Sequence, residues 1–129
     1  MLRVILIDDS PTFLASFKAL LGSFPAVQVV AVLGDGEQGL RAVAELAPDI
    51  VFLDMVMPGL SGMQVAAQLQ RRQAPVRVVM VSLRDGESHR ARVAALGVER
   101  FVCKNDLFDE LPSILSGSPT ASKAGWVRP

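Results

Sequence analysis

Five side chains that can take part in chemistry lie where apolar, strand-like segments end. They are Asp8, Asp9, Asp54, Ser82 and Lys104. If the segments are parallel strands, their carboxyl ends share one edge of a sheet, where ligands of open α/β sheets bind. Three carboxylates in one cleft raise the proton affinity of at least one of them, and Mg²⁺, which prefers oxygen ligands, relieves the repulsion. Together with an ammonium and a hydroxyl, they form a site for a phosphoryl group, which a carboxylate can accept covalently.

Each of these residues also has a structural interpretation. Asp8 and Asp9 can be a solvated strand end, Ser82 a turn hydroxyl, and Lys104 a surface charge. The occurrence of such residues at the ends of four strands favours a site. Other candidates have weaker support: His89 is predicted on the polar face of a helix, Cys103 as a buried apolar residue, and Trp126 as part of a tail, with anchoring of a partner as the alternative.

Apolar spacing and helix caps predict five strands that alternate with five helices. Ser10-Pro11, Asp35 and Ser61 are predicted N-caps, and Pro112 is expected in the first turn of the last helix. The predicted strands are 2–7, 27–33, 50–53, 76–81 and 99–103. The predicted helices begin near Ser10, Asp35, Ser61, Asp85 or Gly86, and Asp109, and the second is expected to bury Leu40, Val43, Ala44 and Ala47.

This alternation predicts an α/β fold, a doubly wound five-stranded parallel sheet with helices on both faces in a three-layer sandwich. Residues 1–115 are expected to form one domain. The composition then shifts to Ser, Pro, Gly, Thr and Ala, so residues 116–129 are predicted to be a flexible tail or the start of a linker.

The overall composition excludes several classes of protein. The 13 basic residues balance 13 acidic ones, so no overall charge favours nucleic acid. One cysteine allows no internal disulfide, and no apolar run approaches the length needed to span a membrane. The first strand-like run carries two aspartates, unlike a signal peptide. We therefore expect a cytoplasmic protein without direct contact to membranes or nucleic acid.

Four segments resemble the receiver domain of two-component response regulators, both chemotaxis-type and DNA-binding. They are LIDDS at 6–10, PDIVFLDMVMPG at 48–59, VMVS at 79–82 and FVCK at 101–104. The resemblance runs in register from the first strand to the last helix. It implies a flavodoxin-like (βα)5 fold.

The resemblance also implies a role for each matching residue. Asp54 would be the phosphoacceptor, Lys104 would pair with the phosphoryl oxygens, and Ser82 and Phe101 would be the switch hydroxyl and the switch aromatic. The implied Mg²⁺ ligands are Asp8, Asp9, Asp54 and the backbone carbonyl of Val56. Three positions depart from the usual pattern. Asn105 stands where many receivers have proline, and Phe101 lacks the hydroxyl of the frequent tyrosine. Leu83 stands where a small residue is common and is expected to crowd the site entrance or the path of the aromatic ring. We therefore expect Phe101 to lie partly inward even without phosphate.

The implied partners are a histidine kinase or phosphotransfer protein and a downstream effector. A second copy is a further candidate, bound through the fourth helix, last strand and last helix. The domain would not be an enzyme, beyond assisting its own phosphorylation and dephosphorylation. An aspartate-based phosphohydrolase remains as an alternative, although Val56 stands where such enzymes need a second carboxylate. A flavin carrier is disfavoured, because Asp8 and Asp9 would repel a bound phosphate.

Overall fold

A computed structural model describes residues 1–83 and 87–117, without the side chains of 87–89. The strands are β1 (Leu2–Ile7), β2 (Val27–Leu33), β3 (Ile50–Asp54), β4 (Arg77–Ser82) and β5 (Arg100–Cys103). The helices are α1 (Pro11–Leu21), α2 (Gly36–Leu46), α3 (Gly62–Arg71), α4 (Glu87–Ala95) and α5 (Leu107–Ser116). All four strand pairs are parallel, in the order β2-β1-β3-β4-β5. The doubly wound parallel sheet predicted from the sequence is therefore present.

The central strand β3 is buried on both faces, as its apolar run predicts. Ile50 and Phe52 pack in a cluster with α1 and α5, while Val51 and Leu53 pack in a second cluster with α2 and α3. Because side chains alternate across a strand, β3 contributes to both cores of the three-layer sandwich.

The predicted helix caps are present. The Ser10 side chain accepts a hydrogen bond from the amide of Phe13, and Asp35 accepts one from Gln38. Ser61 forms a full capping box with Gln64. Each cap satisfies an amide that has no partner within its helix, and so fixes where α1, α2 and α3 begin after their strands.

Two predictions about helices are wrong. Helix α5 begins at Leu107, two residues before the predicted start, so Pro112 lies in its interior and not in the first turn. Leu107 is buried in the same stripe as Leu111 and Ile114, and this burial outweighs the loss of one helical hydrogen bond at the exposed proline. The predicted Ala44 in α2 and Ala47 at its C-cap are exposed, and Gly39 and Ala42 are buried instead.

Three predictions lie outside the described residues. These are the start of the fourth helix at Asp85 or Gly86, the surroundings of the His89 side chain, and the tail from 118 to 129 with Trp126.

Candidate functional site

Three carboxylates meet at the carboxyl edge of the sheet. Strands β1 and β3 are neighbours, with Ile7 paired to Leu53, so Asp8 and Asp54 leave adjacent strands at the same height. A carboxylate oxygen from each of Asp8, Asp9 and Asp54 lies within 4.8 Å of the others. Asp8 and Asp54 are buried, whereas Asp9 is exposed. The cluster therefore has a buried floor and one side that is open to solvent.

Helix α3 begins directly against the backbone of Asp54. A Cβ atom at Gly62 would lie 2.1 Å from the carbonyl oxygen of Asp54, which is a steric clash, so only glycine fits at this position. The amide of Gly62 donates to the carbonyl of Met55 at 2.9 Å, which closes the loop after β3. Within this loop Gly59 has a φ of +74°, in the region that favours glycine. The two glycines thus hold the phosphoacceptor candidate and its loop in a fixed position.

Lys104 lies next to the carboxylates, as the strand ends predict. Its Nζ is 2.8 Å from Oδ2 of Asp8 and also lies over the ring of Phe13, 4.2 Å from the ring centre. The backbone amide of Lys104 donates to the carbonyl of Ser82 at 2.6 Å, which ties the end of β5 to the end of β4. The ammonium is thus held by a carboxylate, an aromatic face and the backbone of its own strand.

The buried carboxylate of Asp54 binds its proton unusually tightly. Its pKa is raised from 3.8 to about 7, chiefly by burial and next by the negative charge of Asp8, while the Lys104 ammonium acts in the opposite direction. Interaction with Asp9 also favours the protonated form. A group that neutralises this negative charge would therefore bind favourably.

The donor set fits a hard divalent cation. The cluster offers only carboxylate oxygens, which Mg²⁺ prefers, and Oδ2 of Asp8 is buried without a well-directed hydrogen bond from any residue the structure describes, despite its contact with Lys104. Oδ1 of the same side chain accepts a hydrogen bond from the amide of Ser10 at 2.8 Å. Val56, whose carbonyl the resemblance implies as a further ligand, lies in the loop two residues after the end of β3, and its side chain is exposed.

The two predicted switch residues lie on neighbouring strands. Ser82 is the last residue of β4 and is buried, and Phe101 in β5 is 7% exposed, which agrees with an inward ring. The guanidinium of Arg90 in α4 lies 5.4 Å from the centre of the Phe101 ring. Leu83 is 72% exposed, which contradicts a side chain in the path of the ring, while its crowding of the site entrance stays a prediction. Cys103 is half-buried and not fully buried as predicted, with Sγ 3.6 Å from the Leu83 carbonyl.

Two residues near the site were not predicted to contribute to it. They are Phe13, whose ring lies beside the Lys104 ammonium, and Arg90, whose guanidinium lies over the Phe101 ring. Phe13 lies three residues after the cap of α1, in the first turn of the helix, which faces the strand ends. This position is the sequence signal that could have identified Phe13 as a residue of the site. For Arg90 the sequence holds no comparable signal.

Comparison with known proteins identifies the family. The family model described as "Response regulator receiver domain" matches residues 4–116. The chain belongs to this family. As a receiver domain of response regulators, it is part of the two-component systems that signal by phosphorylation, as the four sequence segments implied.

The receiver resembles domains of several larger proteins. It is 44% identical over 95 residues to protein-glutamate methylesterase/protein-glutamine glutaminase 5 of Myxococcus xanthus, covering 74% of this chain and 27% of that protein. It is 29% identical over 125 residues to the nitrate/nitrite response regulator NarL of Escherichia coli K12, covering 94% of this chain and 58% of that protein. The chain therefore spans less than a third of the methylesterase and less than two thirds of NarL.

Solved receiver structures have the same fold. The signal receiver domain of the putative response regulator NarL from Mycobacterium tuberculosis superposes with a TM-score of 0.81 at 28% identity, covering 91% of this chain and 98% of that one. The response regulator domain of Thermotoga maritima CheB gives 0.79 at 28% identity, covering 89% and 91%. In the described part of this receiver, every helix is too short or too polar to cross a bilayer.

Proposed function

We propose that this receiver accepts a phosphoryl group on Asp54 from a histidine kinase, a phosphotransfer protein or a small phosphodonor. The observation that carries the proposal is the position of Asp54. Its buried carboxylate lies within 4.8 Å of Asp8 and Asp9, and the Lys104 ammonium lies 2.8 Å from Asp8. A nucleophile, a cation and oxygen ligands for a metal are thus grouped at one edge of the sheet.

In this reaction a carboxylate oxygen of Asp54 attacks the phosphorus atom. The bond from phosphorus to the donor breaks, and the donor, an imidazole or a carboxylate, leaves with the electron pair. Lys104 places its positive charge where the phosphoryl oxygens arrive. Asp8, Asp9 and the Val56 carbonyl would hold Mg²⁺, which when bound neutralises charge on the phosphoryl oxygens.

Phosphorylation would then be read by the side chains that lie between the site and helix α4. The Ser82 hydroxyl can donate a charge-assisted hydrogen bond to a phosphoryl oxygen. Ser82 ends β4 in register with Cys103 of β5, so a shift of this strand end also displaces the strand that carries Phe101. Because Arg90 lies over the Phe101 ring, a movement of the ring changes one of the contacts between α4 and β5. The α4–β5–α5 surface would therefore carry the signal.

The partners follow from this role. A kinase or phosphotransfer protein binds on the input side, and an effector or a second copy of the chain binds on the output side. The domain acts in the cytoplasm and does not bind nucleic acid directly. Residues 1–115 form the receiver in this proposal, with Mg²⁺ as its cofactor. The domain does not act as a turnover enzyme, because Val56 supplies no carboxylate for a phosphohydrolase mechanism.

Phosphorylation by acetyl phosphate and Mg²⁺, followed by intact-mass spectrometry, tests the proposal. The protein should gain the mass of one phosphoryl group, and Asp54→Asn should gain none, because an amide cannot act as the nucleophile. Asp109→Asn is the matched control, since Asp109 is an exposed aspartate in the first turn of α5. The same mass gain in Asp54→Asn as in the unmodified protein would exclude Asp54 as the acceptor.

A further inference from the structure

A buried ion pair lies at the edge of the sheet opposite the carboxylate cluster. Arg77 begins β4 and Glu99 directly precedes β5, so both lie where these strands start. The Arg77 side chain is 4% exposed and the Glu99 side chain is fully buried. Nε of Arg77 donates to Oε1 of Glu99 at 2.7 Å, and Nη2 donates to Oε2 at 2.5 Å. The planar guanidinium thus binds the carboxylate at two points, the geometry that fixes orientation best.

The same guanidinium also holds the end of α5. Its Nη2 donates to the carbonyl of Ile114 at 2.7 Å, one of the last four carbonyls of the helix, which also accepts a longer bond of 3.3 Å from the capping amide of Gly117. Helix α5 carries no basic residue in its own last turn. Arg77 therefore supplies, from another element, the positive charge that favours a helix C-terminus. We name Arg77, Glu99 and the Ile114 carbonyl the α5 anchor.

The two ends of α5 are restrained very differently. At the N-terminal end Asp106 makes no side-chain cap, and the amide of Leu107 reaches the Lys104 carbonyl only at 3.4 Å. The ion pair between Arg100 and Glu110 is 3.6 Å long with both side chains partly exposed, so water weakens it. The N-terminal end, which follows Lys104, is thus packed through Leu107 but has no side-chain cap and no buried ion pair, while the C-terminal end is held by a buried guanidinium that binds both a carboxylate and a helix carbonyl.

Stability alone does not explain the anchor. Burying two charges costs much of what their attraction returns, and apolar side chains of similar size often stabilise a fold as well or better. The anchor differs from apolar packing because the rigid guanidinium fork fixes three groups in one orientation. Its distinctive effect is therefore on position.

We propose that the α5 anchor fixes the point at which the chain leaves the receiver, after Gly117, while the opposite end of α5 responds to the phosphorylation site. This inference rests on the proposed function, because phosphorylation of Asp54 is what moves the N-terminal end of α5. It means that the signal passes through the α4–β5–α5 surface and not through a displacement of the chain that follows α5. Arg77 and Glu99 are positioning residues in this scheme, far from the reacting atoms.

Distances between spin labels at the two ends of α1 and α5 test the proposal. In a Cys103→Ala background, Ala19→Cys with Ser116→Cys reports the anchored end, and Thr12→Cys with Phe108→Cys reports the opposite end. All four label sites are exposed. Pulsed electron paramagnetic resonance is recorded with and without beryllofluoride and Mg²⁺, which stand in for the phosphoryl group. We expect the second distance to shift and the first to stay unchanged.

Variants of the anchor separate it from the proposed function. Arg77→Lys keeps the charge but not the fork, so the anchored-end distribution should broaden about twofold even without beryllofluoride. Arg100→Lys is the matched control, because its exposed ion pair contributes little, and should leave this distribution unchanged. The double variant Arg77→Met with Glu99→Met replaces the ion pair by apolar side chains and should also broaden the anchored-end distribution. Its circular dichroism should remain that of a folded protein.

Two results would overturn the inference. One is an anchored-end distance that shifts with beryllofluoride as much as the opposite end does. The other is an unbroadened distribution in both folded Arg77 variants. If neither end responds to beryllofluoride but Arg77→Lys still broadens the anchored end, the anchor is supported and the proposed switch is contradicted.

Discussion

The raised pKa of Asp54 predicts that this side chain destabilises the receiver at neutral and alkaline pH. The folded protein holds the carboxyl proton to a pKa of about 7, against an ordinary value of 3.8. A folded-state pKa above the unfolded one contributes stability that is fully present below pH 3.8 and is lost as the pH rises through about 7. Asp54→Asn removes this titration, because the amide resembles the protonated acid and never ionises. The variant should therefore be more stable than the unmodified protein at pH 8.

The size of the effect follows from the size of the shift. A shift of about three units corresponds to about 4 kcal/mol, at 1.36 kcal/mol per unit, if Asp54 titrates alone. The neighbouring Asp8 and Asp9 share the charge, and the exposed side of the cluster admits water. We therefore expect Asp54→Asn to raise the free energy of unfolding by about 2 kcal/mol at pH 8. The gain should shrink toward zero near pH 4.

Urea unfolding followed by circular dichroism, in chelator and at a series of pH values, measures this difference. Asp109→Asn, at an exposed aspartate, should track the unmodified protein across the series. Millimolar Mg²⁺ should stabilise the unmodified protein more than Asp54→Asn, because the metal binds the ionised carboxylates. A difference that does not vary with pH, or a variant less stable at pH 8, would refute the link between burial, charge repulsion and the pKa.

Four further predictions test the geometry of the site. Gly62→Ala should lower the free energy of unfolding by about 2 kcal/mol or more, because its Cβ would meet the Asp54 carbonyl oxygen at 2.1 Å. Gly34→Ala, which meets no atom within 4 Å, should stay within about 0.5 kcal/mol in the same urea titration. Ser61→Ala should cost about 1 kcal/mol through the lost cap, again by urea unfolding. Lys104→Met should raise the pKa of Asp54 further, measured by carbon NMR of the carboxyl group, because the ammonium lowers it. Titration with Mg²⁺ should shift the amide signals around Asp54 at millimolar metal, and unchanged signals would exclude the metal site.

The positions of the carboxylates could be predicted because they depend on a local rule. A buried parallel strand delivers the residue at its end to a known edge of the sheet, so Asp8 and Asp54 had to approach each other once β1 and β3 were neighbours. Helix starts were predictable for a similar reason, since a cap such as Ser61 acts within four residues of itself. Helix α5 was predicted less well, because burial of Leu107 depends on α1 and the sheet, and a rule about Pro112 alone does not contain that contact.

Arg77 shows how a long-range contact could have been found with the same reasoning that found the site. The segment from Val76 to Val81 was interpreted as apolar, although Arg77 interrupts it. A charged residue inside a strand that is buried along its whole length must be paired, because an unpaired buried charge costs more than a fold can sustain. Acids at the starts of the neighbouring strands are the candidates, Asp49 before β3 and Glu99 before β5, and the structure pairs Arg77 with Glu99. Its amide donates to the Val78 carbonyl at 2.8 Å, so the backbone ladder itself brings the carboxylate beside Arg77. Charged residues at the beginnings of buried strands can therefore indicate structural ion pairs, just as charged residues at the ends of such strands indicate functional sites.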